Sequence, residues 1–283
     1  MKTTATKAII YDNTCPMCQA YTKVFVKFGF LEKHNRIAFT ELTNQPFIAQ
    51  MDLQRSKHEI PLVDFSNGET IYGLDALLFI LSEKWPLIGK IIRIKPVYWF
   101  FKRLYAMVSY NRRIIVASQK QETLFDCAPD FNLKYRRVFI LFAVLFSSLI
   151  TWWFGTSMAH YLHIHEAGHK MLLIAGSGWV LQFILASLFM KQKTTDYFGH
   201  LATIMIVGVL LLIPGMFLSA LTGYQYEIIP AASICISGGI MLWQNIRRIR
   251  HLELSQGWTF LWFLALFVTA GFSTIFYFNN LLL

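Results

Sequence analysis

Apolar positions change their spacing along the chain, and each change marks a new kind of element. Ile9 and Ile10 form a short apolar run that stops at Asp12-Asn13-Thr14, the pattern of a buried strand followed by a turn with helix-capping chemistry. From Cys18, apolar or aromatic side chains recur at Tyr21, Phe25 and Phe28, a helical spacing with one inward face. A polar break at residues 32–36 follows. Residues 36–42 predict a second strand, and residues 44–57 a helix or irregular segment. Residues 58–65 predict a strand entered through Pro61, Ser66-Asn67-Gly68 a turn, and residues 69–72 a partner strand. Gly73 precedes a predicted helix over 74–84 with Ala76, Leu77, Ile80 and Leu81 inward. The order β-α-β then β-β-α is the one a thioredoxin-like α/β domain requires, here over residues 1–84.

The pattern then loses its polar partner face. Residues 87–116 mix aliphatic and aromatic groups with Lys90, Arg93, Lys95, Lys102, Arg103, Arg112 and Arg113. They read as a helical extension packed on the first domain, or as an interfacial pair whose basic side meets lipid headgroups. With the polar stretch after them they form a helical junction, residues 85–137. Five stretches beyond it lack Asp, Glu, Lys and Arg: 138–161, 171–190, 201–224, 228–246 and 258–283. Each is near the roughly 20 residues that cross a bilayer as a helix. Residues 138–283 therefore predict an all-α transmembrane bundle of about five spans. The fourth, with Pro230 and Gly238-Gly239, carries the weakest signal.

Composition agrees with this division. The chain has 283 residues, is 55% hydrophobic, and carries a net charge of +10. Residues 1–137 hold 20 of the 26 Lys and Arg and 12 of the 16 Asp and Glu. No nucleic-acid motif accompanies the basic balance, which serves topology and an anionic leaflet more simply. The first ten residues lack a long apolar run, so no secretory leader is expected. Lys134, Arg136 and Arg137 precede the first span, Lys191 and Lys193 follow the second, and Arg247, Arg248 and Arg250 follow the fourth, whereas the opposite connections hold only Lys170. Positive charge on the inner side puts the N-terminal domain in the cytoplasm, at the inner membrane, and the C-terminus outside.

Four cysteines are too few and too scattered for a disulfide scaffold, but Cys15-Pro16-Met17-Cys18 stands where a strand-turn unit opens a helix. Both sulfurs then lie in a first turn, where free amide N–H groups and the helix dipole favour a thiolate. Cys15, nearer the exposed helix start, is the expected nucleophile, and Cys18 the resolving thiol. Pro16 fits an early helical position. Asp12 is a candidate proton shuttle for Cys18 or a cap for the turn. Half of a zinc site and inert thiols are the competing readings, and no second C-x-x-C or C-x-x-H completes such a site.

The segment Tyr11-Asp12-Asn13-Thr14-Cys15-Pro16-Met17-Cys18 resembles the signature of the DCC family of thiol-disulfide oxidoreductases. Ile60-Pro61, Gly73-Leu74-Asp75-Ala76, Tyr105 and Asn111-Arg112 extend the resemblance over about residues 7–116. It implies a thioredoxin-like fold and a redox enzyme acting on a protein or small thiol or disulfide substrate, without naming that substrate. The family usually has Gly after the aspartate; Asn13 stands there, a residue that also tolerates a left-handed turn. The fold implies that a proline opening the third strand packs beside the sulfurs and shapes the substrate groove, usually through a cis peptide bond. Ile60-Pro61 is the candidate.

A second motif lies in the membrane part. His165-Glu166-Ala167-Gly168-His169 matches H-E-x-x-H, which on a helix sets two imidazoles on one face with Glu166 as a possible general base. His160 and His163 lie just upstream. The readings are a zinc hydrolase resembling site-two-type metalloproteases, a metal or haem site, or a polar connection rich in histidine. The protease reading lacks its later carboxylate ligand, because Asp196, Glu227 and Glu253 fall outside the apolar spans. The dithiol chemistry itself requires no cofactor. Cys127 is a candidate exchange partner or a bystander. Cys235 is expected to be a small packing residue, and alone it cannot form a dithiol relay within the membrane. A membrane protein partner, with the pair acting as a non-enzymatic redox sensor, is the third functional class.

Overall fold

The computed structural model describes residues 4, 6–44, 48, 51–118, 128–162, 166–190 and 193–279. Contacts divide the chain into two compact units, Met1–Arg137 and Val138–Leu283.

The first unit is built on strands β1 (Lys7–Tyr11), β2 (Arg36–Ala38), β3 (Pro61–Asp64) and β4 (Thr70–Tyr72). Their order is β2-β1-β3-β4, with β1 parallel to β2 and antiparallel to β3, and β3 antiparallel to β4. Helix α1 (Pro16–Lys27) crosses between β1 and β2, α2 (Leu53–Ser56) precedes β3, and α3 (Gly73–Ser82) follows β4. The sequence order β-α-β, β-β-α is thus realised as a small mixed sheet with helices. Gly73, at φ +64°, turns the chain from β4 into α3 and donates its N–H to the Ile60 carbonyl over 2.8 Å. One core places Ile9 and Leu62 of the central strands against Phe25, Phe30, Ala76 and Ile80; a second gathers Ile10, Phe39, Leu42, Met51 and Val63.

Several local expectations change. Strand β2 stops at Ala38, and residues Phe39–Asn44 form a 3-10 turn instead. Phe39 and Leu42 are both buried. At three residues per turn they share a side, whereas a strand would point them to opposite faces. The inward face of α1 is Cys18, Thr22 and Phe25, while Phe28 lies past the helix end and is exposed. Thr22 is accommodated inside because its hydroxyl donates to the Cys18 carbonyl (2.7 Å) and accepts from Arg36 Nε (2.8 Å). In α3, Leu78 is buried as well as Ala76 and Ile80, and α4 (Pro86–Ile92) and α5 (Lys95–Ile115) pack against this helix. The Ile60–Pro61 bond is trans, as are all peptide bonds among the described residues. The trans bond carries the chain straight into β3, with the Ile60 carbonyl already taken by Gly73.

The second unit consists of α6 (Leu133–Leu162, whose first turn belongs to the first unit), α7 (Ala167–Phe189), α8 (Thr194–Leu221), α9 (Ile228–His251) and α10 (Gly257–Asn279). Helices α6 to α9 are long and apolar enough to cross a membrane, which covers four of the five expected spans. The fifth expected span falls on α10, which stands outside those four; residues 280–283 lie outside the described residues. Pro230 is tolerated in α9 because it sits in the first turn. Small residues let these helices approach closely. A Cβ on Gly168 of α7 would lie 2.7 Å from Thr156 Cγ2 and 2.9 Å from the Trp152 carbonyl of α6. Ser237 of α9 donates to the Gly208 carbonyl of α8 over 2.9 Å. Buried polar side chains pair between helices, Gln182 with Tyr197 (2.5 Å) and Arg248 with His200 (3.0 Å).

Candidate dithiol site

The site begins with the turn that links β1 to α1. Asp12 ends β1 and accepts hydrogen bonds at Oδ1 from the Thr14 amide (2.9 Å) and hydroxyl (2.7 Å). The Cys15 amide donates to the Asp12 carbonyl over 3.3 Å. This closes the turn without a left-handed residue: Asn13 keeps a negative φ, so the conformational freedom expected of it goes unused. Cys15 itself is the N-cap residue of α1, Pro16 occupies the first turn, and Cys18 follows one turn on. The capping expected from Asp12-Asn13-Thr14 is confined to the turn.

Both thiols are free and buried, Cys15 with no exposed surface and Cys18 with 4%. This overturns the expectation of an exposed nucleophile at the helix start. The two sulfurs nevertheless differ in their surroundings. The Cys18 thiol donates to the Cys15 sulfur. That bond, helped by the Cys18 amide and the Arg112 charge and opposed by desolvation and Asp12, brings the Cys15 pKa down to about 6. The same bond, together with burial, pushes the Cys18 thiol up. The proton of the pair therefore resides on Cys18.

Arg112 reaches the site from α5. Its Nη2 lies 3.5 Å from Asp12 Oδ2, and Arg113 Nη2 lies 3.6 Å from the same oxygen. Arg113 also donates to the Thr14 hydroxyl over 3.3 Å. Asp12 is thus tied at both oxygens, one to the turn and one to two guanidinium groups. Tyr105 of α5 accepts the Ile60 amide at its hydroxyl (2.9 Å), and burial raises its pKa to about 12. Ser109, also of α5, donates to the His58 carbonyl. In the sequence Tyr105 stands only as a mark of the resemblance, and Arg112 as such a mark and as one of the basic residues of 87–116. Their part in the site comes from a helix that could equally have been assigned to the membrane surface.

A cavity of about 230 Å³ opens beside the pair. Cys18, Asp12 and Arg112 line it together with apolar groups from α1, α3 and α5, among them Tyr21, Phe25, Leu77 and Val108. The wall expected from Pro61 is supplied by its neighbour Ile60. Pro61 is buried in β3, paired with Tyr72.

Residues 9–117 match the family model of the DCC1-like thiol-disulfide oxidoreductases. The N-terminal part of the chain thus carries a DCC1-like domain, followed by four helices apolar enough to span a membrane. The match ends just past α5, so the helix that completes the cavity belongs to the domain. No curated protein and no solved structure matches the chain significantly.

His165, His163 and Cys127 lie outside the described residues. Glu166 has a left-handed backbone, φ 58°, and caps α7, which begins only at Ala167. Of the His-Glu-x-x-His segment, helix α7 therefore takes in only Ala167, Gly168 and His169. His169 packs edge-on against Trp152, and His160 stacks on Tyr224 at 4.0 Å. Among the described residues no three His, Cys, Asp or Glu side chains converge as a metal site would need. Cys235 is exposed on α9 rather than packed within the bundle.

Proposed function

We propose that this protein is a membrane-anchored thiol-disulfide oxidoreductase with its dithiol on the cytoplasmic side. The observation that carries the reading is the pair of free thiols one turn apart at the start of α1, with Cys18 and the Arg112 guanidinium lining one cavity; the Cys18 thiol lowers the Cys15 pKa. Cys15 attacks one sulfur of a substrate disulfide and expels the other as a thiolate. Cys18 then gives up its proton and attacks Cys15, releasing the second substrate thiol and leaving a Cys15–Cys18 disulfide. Two electrons pass to the substrate, and a thiol donor returns them. Asp12 acts as a positioning residue for Arg112 and the turn. In a reducing compartment the pair works as a reductase.

Orientation rests on the positive residues around the spans, which gather in the first turns of α6, after α7 and at the end of α9. Leu87, Ile91, Trp99 and Phe100 are exposed on α4 and α5 among Lys90, Lys95, Lys102 and Arg103, a composition suited to an anionic lipid surface.

The test uses the full chain in detergent micelles. With dithiothreitol as donor, turnover of bis(2-hydroxyethyl) disulfide is expected, abolished in Cys15→Ser. In Cys18→Ser a mixed disulfide at Cys15 should accumulate and be visible by mass spectrometry. Absence of both turnover and mixed disulfide overturns the reading. Labelling of a cysteine introduced at exposed Lys102, in sealed cells with and without permeabilisation, tests the side.

A further inference from the structure

We propose that the cavity beside Cys18 is the substrate recess of the dithiol and that it selects small disulfides with an apolar arm. This rests on the oxidoreductase reading and names its substrate class.

Access supplies the first argument. Cys15 has no exposed surface and Cys18 only 4%, so the flat surface around a protein disulfide has no thiol to meet. Among the described residues this cavity borders the dithiol, and it does so through Cys18. At about 230 Å³ it is smaller than the roughly 300–1,000 Å³ pockets that take drug-sized ligands.

Chemistry of the wall supplies the second. Phe25, Leu77 and Val108, from three different helices, present hydrocarbon to it. Its polar groups are largely committed elsewhere: Tyr105 accepts from the Ile60 amide, Ser109 donates to the His58 carbonyl, Ser56 to the Asp52 carbonyl (2.7 Å), and Asp12 is held by Thr14. A polar arm entering here would exchange water for a wall that is mostly hydrocarbon, whose cation, Arg112, is already engaged by Asp12. An apolar arm gains by burial.

With the arm in the recess, the disulfide enters past Cys18, whose thiol is hydrogen-bonded to the Cys15 sulfur. The Cys15 thiolate attacks the near sulfur, forming Cys15–S–S–R and releasing RS⁻, which takes the Cys18 proton. Cys18 then attacks Cys15 and releases the second RS⁻, so RSSR gains two electrons and the protein loses two. Arg112, which lines the recess, faces the departing thiolate.

The experiment measures the rate at which the reduced full chain in micelles is oxidised by di-n-propyl disulfide and by bis(2-hydroxyethyl) disulfide. These differ only by a methyl in place of a hydroxyl on each arm. Each rate is divided by that of a free-cysteine peptide in the same micelles, which removes partitioning. The expected normalised ratio is about ten in favour of the propyl compound. Leu77→Trp and Val108→Phe, filling the recess from α3 and α5, should each bring that ratio down toward one, while Val24→Trp on the exposed face of α1 should leave it in place. A wild-type ratio near one overturns the proposal even if both filled variants fail to fold. A high ratio that survives filling overturns the assignment to this cavity. Failure of both disulfides to oxidise the pair would instead overturn the oxidoreductase reading itself.

Discussion

Asp12 and Arg112 stand 100 positions apart in the chain and meet at 3.5 Å beside the dithiol, each almost fully buried. The carboxylate holds the guanidinium where its charge favours a thiolate on Cys15, while its own charge opposes that thiolate. Arg112→Met should therefore raise the Cys15 pKa and destabilise the first unit by about 3 kcal/mol, the scale for stranding one partner of a buried ion pair. In Asp12→Asn/Arg112→Met the losses should be less than additive, because neither charge is left alone. Thermal unfolding of the single and double variants measures both.

The pH profile of Cys15 alkylation should have its midpoint near 6, rising as pH increases and level above 7. At pH 7 such a thiol is about 90% thiolate, against about 3% for one of pKa 8.5. Its lower basicity returns roughly a ten-fold loss of nucleophilicity, so the intrinsic advantage at pH 7 is only about two- to three-fold. At pH 6 it grows to about ten-fold by the same reasoning. Cys18→Ala removes the largest contribution and should shift the midpoint upward. An unshifted midpoint would assign the effect to Arg112 and the helix start.

Lys7 and Asp64 pair across β1 and β3. Desolvation raises the Asp64 pKa, but hydrogen bonds from Lys7, from the Ser66 hydroxyl and amide, and from Thr6 outweigh it and leave the carboxyl below its ordinary value. A lowered folded pKa gives stability that is present above the unfolded carboxylate range near 4 and disappears as pH falls below it. Asp64→Asn should cost about 1–3 kcal/mol at pH 7. Denaturant melts should show the gap between variant and wild type closing as the pH is taken below 4.

Two glycines of α7 should respond oppositely to alanine. Gly168→Ala puts a methyl against Thr156 and the Trp152 carbonyl and should cost about 1–3 kcal/mol through forced separation of α6 and α7. Gly176 has nothing within 4 Å of its would-be Cβ, so Gly176→Ala should be neutral or slightly stabilising through helix propensity. Melting temperatures in matched micelles decide between them.

The strands and their order were readable because short apolar runs ended at turn residues, and the long spans because charge vanished from them. What the sequence hid were contacts made across distance. Phe28 has the spacing of an inward residue, but the helix ends before it. Phe39 and Leu42 read as strand because a 3-10 turn and a strand both bury short apolar segments. The C-x-x-C pair was legible from its place at a helix start, but its asymmetry comes first from the hydrogen bond between the two thiols, which spacing does not display. The burial of Cys15 did not, since it depends on how the rest of the unit folds over that helix start. Arg112 looked like one of several solvated cations on α5 until the fold brought it to Asp12.

Helix α5 lies beyond the last strand and beyond α3, yet Tyr105, Ser109 and Arg112 all come from it. The dithiol is therefore not a portable cassette. A fragment ending near residue 84 would keep both cysteines and every strand. It would lose the α5 wall of the recess and the guanidinium that meets Asp12, leaving the pair open to solvent as an ordinary surface dithiol.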